Sequence, residues 1–109
     1  MNFSSFDLDA RLQHGVTALG FTTPTPIQSA TIPVALTGQD ILGSAETGTG
    51  KTAAYVLPIL HRLLAAPTHA HSLRVLILVP TRELALQVAM HAQQLSRNTP
   101  LRVTAIFGG

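Results

Sequence analysis

The chain has 109 residues, of which 46% are apolar and 11% charged, with a formal net charge of +2. That length holds one domain at most, and so apolar a composition excludes intrinsic disorder. The absence of cysteine excludes a disulfide scaffold and a thiolate metal site, and seven bases against five acids are too mild an excess for a nucleic-acid-binding tail.

The first periodic stretch is Leu8, Leu12, Val16 and Leu19, one apolar stripe on a helix, with Asp7 as its expected N-cap and Gly20 as its stop. Gly15 inside it should cost up to about 1 kcal/mol relative to Ala. Pro24 and Pro26 frame an extended connection, and a short second helix is expected to start at Thr25 with Pro26 in its first turn. It should run to Leu36, stop at Gly38 and bend at Pro33. Residues 40–44 read as a short strand, followed by a glycine-rich turn, Ala45 to Gly50.

After that turn, Val56, Leu57, Leu60, Leu63 and Leu64 repeat at helical spacing, with a kink expected at Pro58. Ala53, Ala54 and Ile59 make this helix apolar nearly all round, so it should be deeply packed. Residues 75–79, Val-Leu-Ile-Leu-Val, read as a strand buried on both faces of a parallel sheet. Thr81 is the expected N-cap of a helix carrying Leu84, Val88, Ala92 and Leu95, and residues 101–107 alternate as a third strand. Strands alternating with helices predict an α/β fold, a parallel sheet with flanking helices. Three such strands leave an apolar edge unpaired, so the chain is expected to be part of a longer protein, truncated after the third strand.

The residues Ala45, Glu46, Thr47, Gly48, Thr49, Gly50, Lys51 and Thr52 lie between a predicted strand and a predicted helix, the context a phosphate-binding loop requires. Glycines let backbone N–H groups turn inward around an anion, and the helix N-terminus adds its positive dipole end. Lys51 brings a cation to the β and γ phosphates of a nucleotide, and the Thr52 hydroxyl offers a hard oxygen to Mg²⁺. A plain strand-to-helix turn with a solubilising lysine is the competing reading. It is disfavoured because Lys51 is the only lysine in the chain. Ala45 departs from the general pattern, which has Gly there.

With that departure, the loop resembles motif I of the DEAD-box ATP-dependent RNA helicases. Residues 20–28, Gly-Phe-Thr-Thr-Pro-Thr-Pro-Ile-Gln, resemble the family's Q motif, with Phe6 as the isolated upstream aromatic. Residues 80–85, Pro-Thr-Arg-Glu-Leu-Ala, are similar to motif Ia, and Gly108-Gly109 to the GG element. The resemblance implies a partial RecA-like P-loop domain, with residues 1–33 as the Q-motif region and 34–109 as the incomplete N-terminal part of the ATP-binding domain. It implies ATP and Mg²⁺ as cofactors, RNA as partner, ATP-driven unwinding of short duplexes by the intact protein, and a monomer. The Asp-Glu-Ala-Asp motif and the second RecA-like domain do not occur in this chain, so negligible ATPase is expected of it alone. Residues 42–45 and 75–87 look most like bacterial members that assist ribosome assembly, which implies ribonucleoprotein partners.

The resemblance also assigns roles. Lys51 and Thr52 are the catalytic pair on the phosphates, with Thr52 holding Mg²⁺. Phe6, Phe21, Thr23, Gln28 and the loop 45–52 bind the nucleotide. Pro80, Thr81, Arg82, Gly108 and Gly109 contact RNA. The chemistry suits these assignments. The Gln28 amide sets an acceptor beside a donor, matching adenine N6–H and N7, a pair worth about 1–3 kcal/mol of discrimination against guanine. Phe6 lies outside the helical stripe and is free to stack on a base, whereas for Phe21 core packing and base contact stay open. Thr81 and Arg82 open a helix after a strand, where a helix N-terminus and an arginine suit a phosphate. Glu83 suits the helix dipole instead. His14, His61, His69, His71 and His91 show no metal-ligand spacing.

Two alternatives stay open: an adenine-nucleotide-binding fragment without turnover, and a P-loop NTPase of another class, such as a kinase or GTPase. The N-terminus has neither the charge nor the apolar run of a signal peptide, and no stretch is long enough to span a bilayer, so a cytoplasmic protein without membrane partners is expected.

Overall fold

The computed structural model describes residues 2–43, 50–67 and 73–107. Within them lie a 3₁₀ turn, Phe3–Ser5, and the helices α1 (Ala10–Ala18), α2 (Pro26–Leu36), α3 (Lys51–Ala65) and α4 (Arg82–Leu95). Each helix starts where a local cap permits it. Thr25 begins α2 with a complete capping box: its hydroxyl accepts the Gln28 N–H while Gln28 Oε1 accepts the Thr25 N–H at 2.9 Å. Thr81 begins α4 by accepting the Leu84 N–H at 3.1 Å. The expected stops also hold, since Gly20 and Gly38 adopt positive φ just past α1 and α2.

The N-cap of α1 is Asp9, not Asp7 as the stripe suggested. Asp9 accepts the Arg11 N–H at 2.9 Å and holds the Arg11 guanidinium through two bonds of 3.0 Å. Leu8 is thereby left before the helix, although it is still buried. The Arg11 side chain, then its backbone N–H, lowers the Asp9 carboxyl from 3.8 to about 2.

The apolar stripes converge on α3, which packs along α2 and also touches α1 and α4. Leu12 and Val16 of α1, Ile32 of α2, Val56 and Leu57 of α3 and Leu95 of α4 are almost fully buried. Each such side chain contributes roughly 1.5–3 kcal/mol on burial. Phe3, Phe6 and Leu8 close the end of this core. The amide of Gln13 stitches that end to α1 by donating to the Phe3 and Phe6 carbonyls at 2.9 and 3.1 Å. Gly15 is where α1 crosses the end of α4. A Cβ there would collide with the Leu95 carbonyl oxygen, so the glycine that weakens the isolated helix is required by packing.

The predicted strands differ from expectation. Among the described residues no β-ladder forms; residues 40–43, 75–79 and 101–107 carry no regular structure. The last two keep the alternation of strands nonetheless. Val75 and Val79 are half-buried, while Leu76 and Leu78 between them are 71% and 84% exposed. Leu101 and Val103 likewise pack against the core while Arg102 and Thr104 face water. Residues 75–79 are therefore covered on one face, not on both. The reason is physical: a ladder needs a neighbouring strand to take its N–H and C=O groups, and the helices cover only one side.

Candidate functional site

The tips of α2 and α3 meet at a single side chain. Gln28, in the first turn of α2, is 3% exposed and donates from Nε2 to the Gly50 carbonyl at 3.0 Å. Its Oε1 is used by the Thr25 N–H, so the amide bridges the start of one helix to the start of the next. Each end of the amide retains one more hydrogen-bonding position. Gly50 is the N-cap of α3, at φ 80°, and no side chain caps this helix. A side chain at residue 50 is excluded twice, by that left-handed backbone and by Gln28 Nε2, which a Cβ would strike.

Because Ala54 N–H is the first to find a carbonyl, that of Gly50, the amides of residues 51–53 have no partner within the helix. They sit at the positive end of the helix dipole, with Lys51 as the first helical residue and Thr52 as the second. Lys51 is exposed and lines a cleft of about 590 Å³ between α2, α3 and residues 39–43, together with Asp40, Tyr55 and Arg62. Thr52 is half-buried. Helix-start amides, one ammonium and one hydroxyl are a donor set that fits a polyphosphate and a hard divalent cation.

The aromatic residues lie on the N-terminal side of Gln28. Phe6 is buried and meets Phe3 edge-to-face, with ring centroids 5.6 Å apart. Phe21 is half-buried and lies 5.8 Å from the same Phe3 ring. Phe3 is thus the residue that links the two nucleotide candidates. The sequence singled it out by no signal other than being an aromatic near the start. Thr23 is exposed and its neighbour Pro24 buried. Of the remaining nucleotide candidates, Ala45, Glu46, Thr47, Gly48 and Thr49 lie outside the described residues.

The candidate nucleic-acid residues form a second group at the start of α4. Pro80, Thr81 and Arg82 are all exposed. Thr81 serves as the cap, and the Arg82 guanidinium lies 5.1 Å from the centroid of the Phe107 ring. Phe107 was legible in the sequence only as the end of an alternating run. Its contact with Arg82 joins segments distant in sequence, so no local pattern announces it. Gly108 and Gly109 lie outside the described residues. Among the histidines, His61 Nδ1 accepts the Asp9 N–H at 3.0 Å, a structural tie between α3 and α1.

A profile of the DEAD/DEAH box helicase family matches residues 25–109. The chain is 54% identical over 108 residues to the ATP-dependent RNA helicase SrmB of Escherichia coli, covering 98% of this chain and 24% of that protein. It is 51% identical to the ATP-dependent RNA helicase drs1 of Neosartorya fischeri, covering 99% of this chain and 13% of the relative. Among solved structures, the RNA helicase Prp28 from Chaetomium thermophilum bound to ADP superposes with a TM-score of 0.90 at 40% identity, over 99% of this chain and 27% of that one. A DEAD box protein from Methanococcus jannaschii matches with a TM-score of 0.77 at 35% identity, over 87% of this chain and 25% of that one. The chain therefore spans about a quarter or less of the length of these relatives. With the starts of α2, α3 and α4 and the Gln28–Gly50 bridge all inside the matched region, the chain belongs to the DEAD/DEAH box helicase family.

Proposed function

We propose that this chain is the adenine-nucleotide-binding part of an ATP-dependent RNA helicase. The observation that carries this reading is the Gln28 amide bonded to Gly50 at the start of α3, beside Lys51 and Thr52. Family membership removes the kinase and GTPase alternatives. In this reading the amides of residues 51–53 and Lys51 hold the phosphates, with the loop from Ala45 to Gly50 completing the cradle. Thr52 holds Mg²⁺, which when bound supplies charge neutralisation on the phosphate oxygens. Gln28 uses its remaining donor and acceptor on adenine, and Phe6, Phe21 and Thr23 shape the wall on that side.

The RNA substrate is proposed from the relatives' names and from the second group of residues, Pro80, Thr81 and Arg82, together with Gly108 and Gly109. The same proposal includes a RecA-like division into residues 1–33 and 34–109, with a parallel sheet whose remaining strands come from outside this chain. The bare faces of Leu76 and Leu78 support it. It also includes a cytoplasmic location, ribonucleoprotein partners, and binding without turnover by this chain alone.

The test is titration of the chain with Mg-ADP and Mg-GDP, read by amide chemical shifts and by calorimetry. ADP should bind more tightly by about tenfold, the equivalent of one good base-edge pair. Gln28→Ala should remove that preference. Equal affinity for the two nucleotides in the unmodified chain would sink the role given to Gln28.

A further inference from the structure

We propose that His61 is a positioning residue for the nucleotide site. In its neutral form it holds the N-terminal segment that carries Phe6 on α3, the helix that carries Lys51 and Thr52. This rests on the nucleotide reading above and deepens it. His61 is half-buried in the last third of α3, and its Nδ1 accepts the Asp9 N–H at 3.0 Å. Among the described residues this is the only hydrogen bond from residues 2–9 to α3. The other ties of that segment lead elsewhere. Phe3 N–H donates to the Thr22 carbonyl at 3.0 Å, and the Gln13 amide donates to the Phe3 and Phe6 carbonyls. One imidazole therefore sets the aromatic wall of the site against the helix that offers the phosphate donors.

Accepting at Nδ1 requires a neutral ring with its proton on Nε2. An imidazolium has two N–H donors and no acceptor, so it would turn a donor towards the Asp9 N–H. Histidine changes charge between about pH 5 and 8, which puts this tie under proton control. The charged groups at the ring do not offset the loss. Asp9 and Arg11 face it from the start of α1 as a closed pair, with two bonds of 3.0 Å, and Arg62 follows it on α3. Arg11 is the chief cause of the lowered Asp9 carboxyl and His61 the smallest, so that carboxylate is committed to Arg11. The positive dipole end of α1 lies at the ring, whereas His61 stands before the last turn of α3, where the opposite end has faded. Helix α2 has no titratable side chain. Asp7, His14, Arg82, Glu83 and His91, on the other elements around α3, make no described bond to His61. The latched form thus binds one proton fewer than the released form, so it is favoured at higher pH and lost as pH falls.

The experiment titrates the full chain with Mg-ADP by calorimetry at about pH 7.5 and about pH 5.5, on either side of the usual histidine range. Asp9 amide exchange is read without nucleotide at the same two values. The set comprises the unmodified chain, His61→Asn and His61→Leu. His61→Asn keeps an acceptor near the Nδ1 position but does not titrate, so it also corrects for protonation of ADP and of the other histidines. The unmodified chain should lose about two- to fivefold in affinity at the lower pH beyond any loss in His61→Asn, the worth of one hydrogen bond. His61→Leu should show that loss already at the higher pH, where His61→Asn should bind like the unmodified chain. The Asp9 amide should exchange faster at the lower pH in the unmodified chain than in His61→Asn. Identical pH profiles for these two chains would overturn the proposal, and that comparison stands even if His61→Leu does not fold. Exchange that follows His61 while ADP affinity does not would also end the positioning role, with the nucleotide reading intact. If the unmodified chain binds no Mg-ADP at either pH, the nucleotide reading itself falls and takes this inference with it.

Discussion

At residue 15 two opposing effects meet. Replacing Gly15 by Ala would improve helix propensity in α1 by about 1 kcal/mol. The added Cβ would strike the Leu95 carbonyl, a backbone atom that cannot rotate aside. Forcing an atom into a packed crossing costs about 1–3 kcal/mol, so the clash should win. We expect Gly15→Ala to lower stability by up to about 2 kcal/mol in urea unfolding, the difference of these two effects. A raised midpoint would show that the α1–α4 crossing is looser than described. The sequence displayed only the propensity half of this balance, because the opposing atom sits on another helix. Phe3 escaped notice for the same reason: its importance comes from meeting Phe6 and Phe21, not from its neighbours in the chain.

Helix starts were legible where the signal is local. Thr25 with Gln28 three residues on, and Thr81 just past Pro80, are patterns that the sequence displays directly, and both caps formed. Asp7 and Asp9 are a harder choice, since both are good caps two residues apart. The bidentate Arg11 contact favours Asp9. That choice has a pH consequence. The Asp9 carboxyl is held at about 2 rather than 3.8, so its ionised form favours the folded chain. The stabilisation is fully present above 3.8 and fades as pH falls towards about 2. Asp9→Ala should cost about 1 kcal/mol at neutral pH, the usual worth of an N-cap. The deficit against the unmodified chain should shrink through that acid window in thermal melts. A deficit constant from neutral pH down to pH 2 would mean that the carboxylate charge plays no part. The strands were the least legible elements because a ladder is not local. Residues 75–79 kept their strand alternation, but pairing depends on neighbours that no window of this sequence contains.

For the molecule as a whole, the helices form a layer with one finished side. Its inner face is the core around α3, and its other side presents Leu76, Leu78 and Ile106 at 71%, 84% and 89% exposure. Apolar surface of this kind calls for a covering partner. The candidate nucleotide residues do not depend on that cover, because Gln28, Gly50, Lys51 and Thr52 are set by the packing of α2 against α3. These candidate residues, singled out from the sequence, are brought together within the helical layer, whereas residues 44–49 lie outside the described part.

The Gln28 stitch also has an electrostatic consequence. It joins the N-terminus of α2 to that of α3, so two positive dipole ends of roughly half a charge each are held side by side. Like partial charges brought together repel, and the stitch works against that repulsion. A polyanion at the junction turns the penalty into attraction from both helices at once. Sulfate should accordingly raise the melting temperature more than perchlorate or chloride at equal ionic strength, and Gln28→Ala should diminish the difference. If the sulfate increment is unchanged in Gln28→Ala, general salting-out accounts for it and the paired helix tips do not.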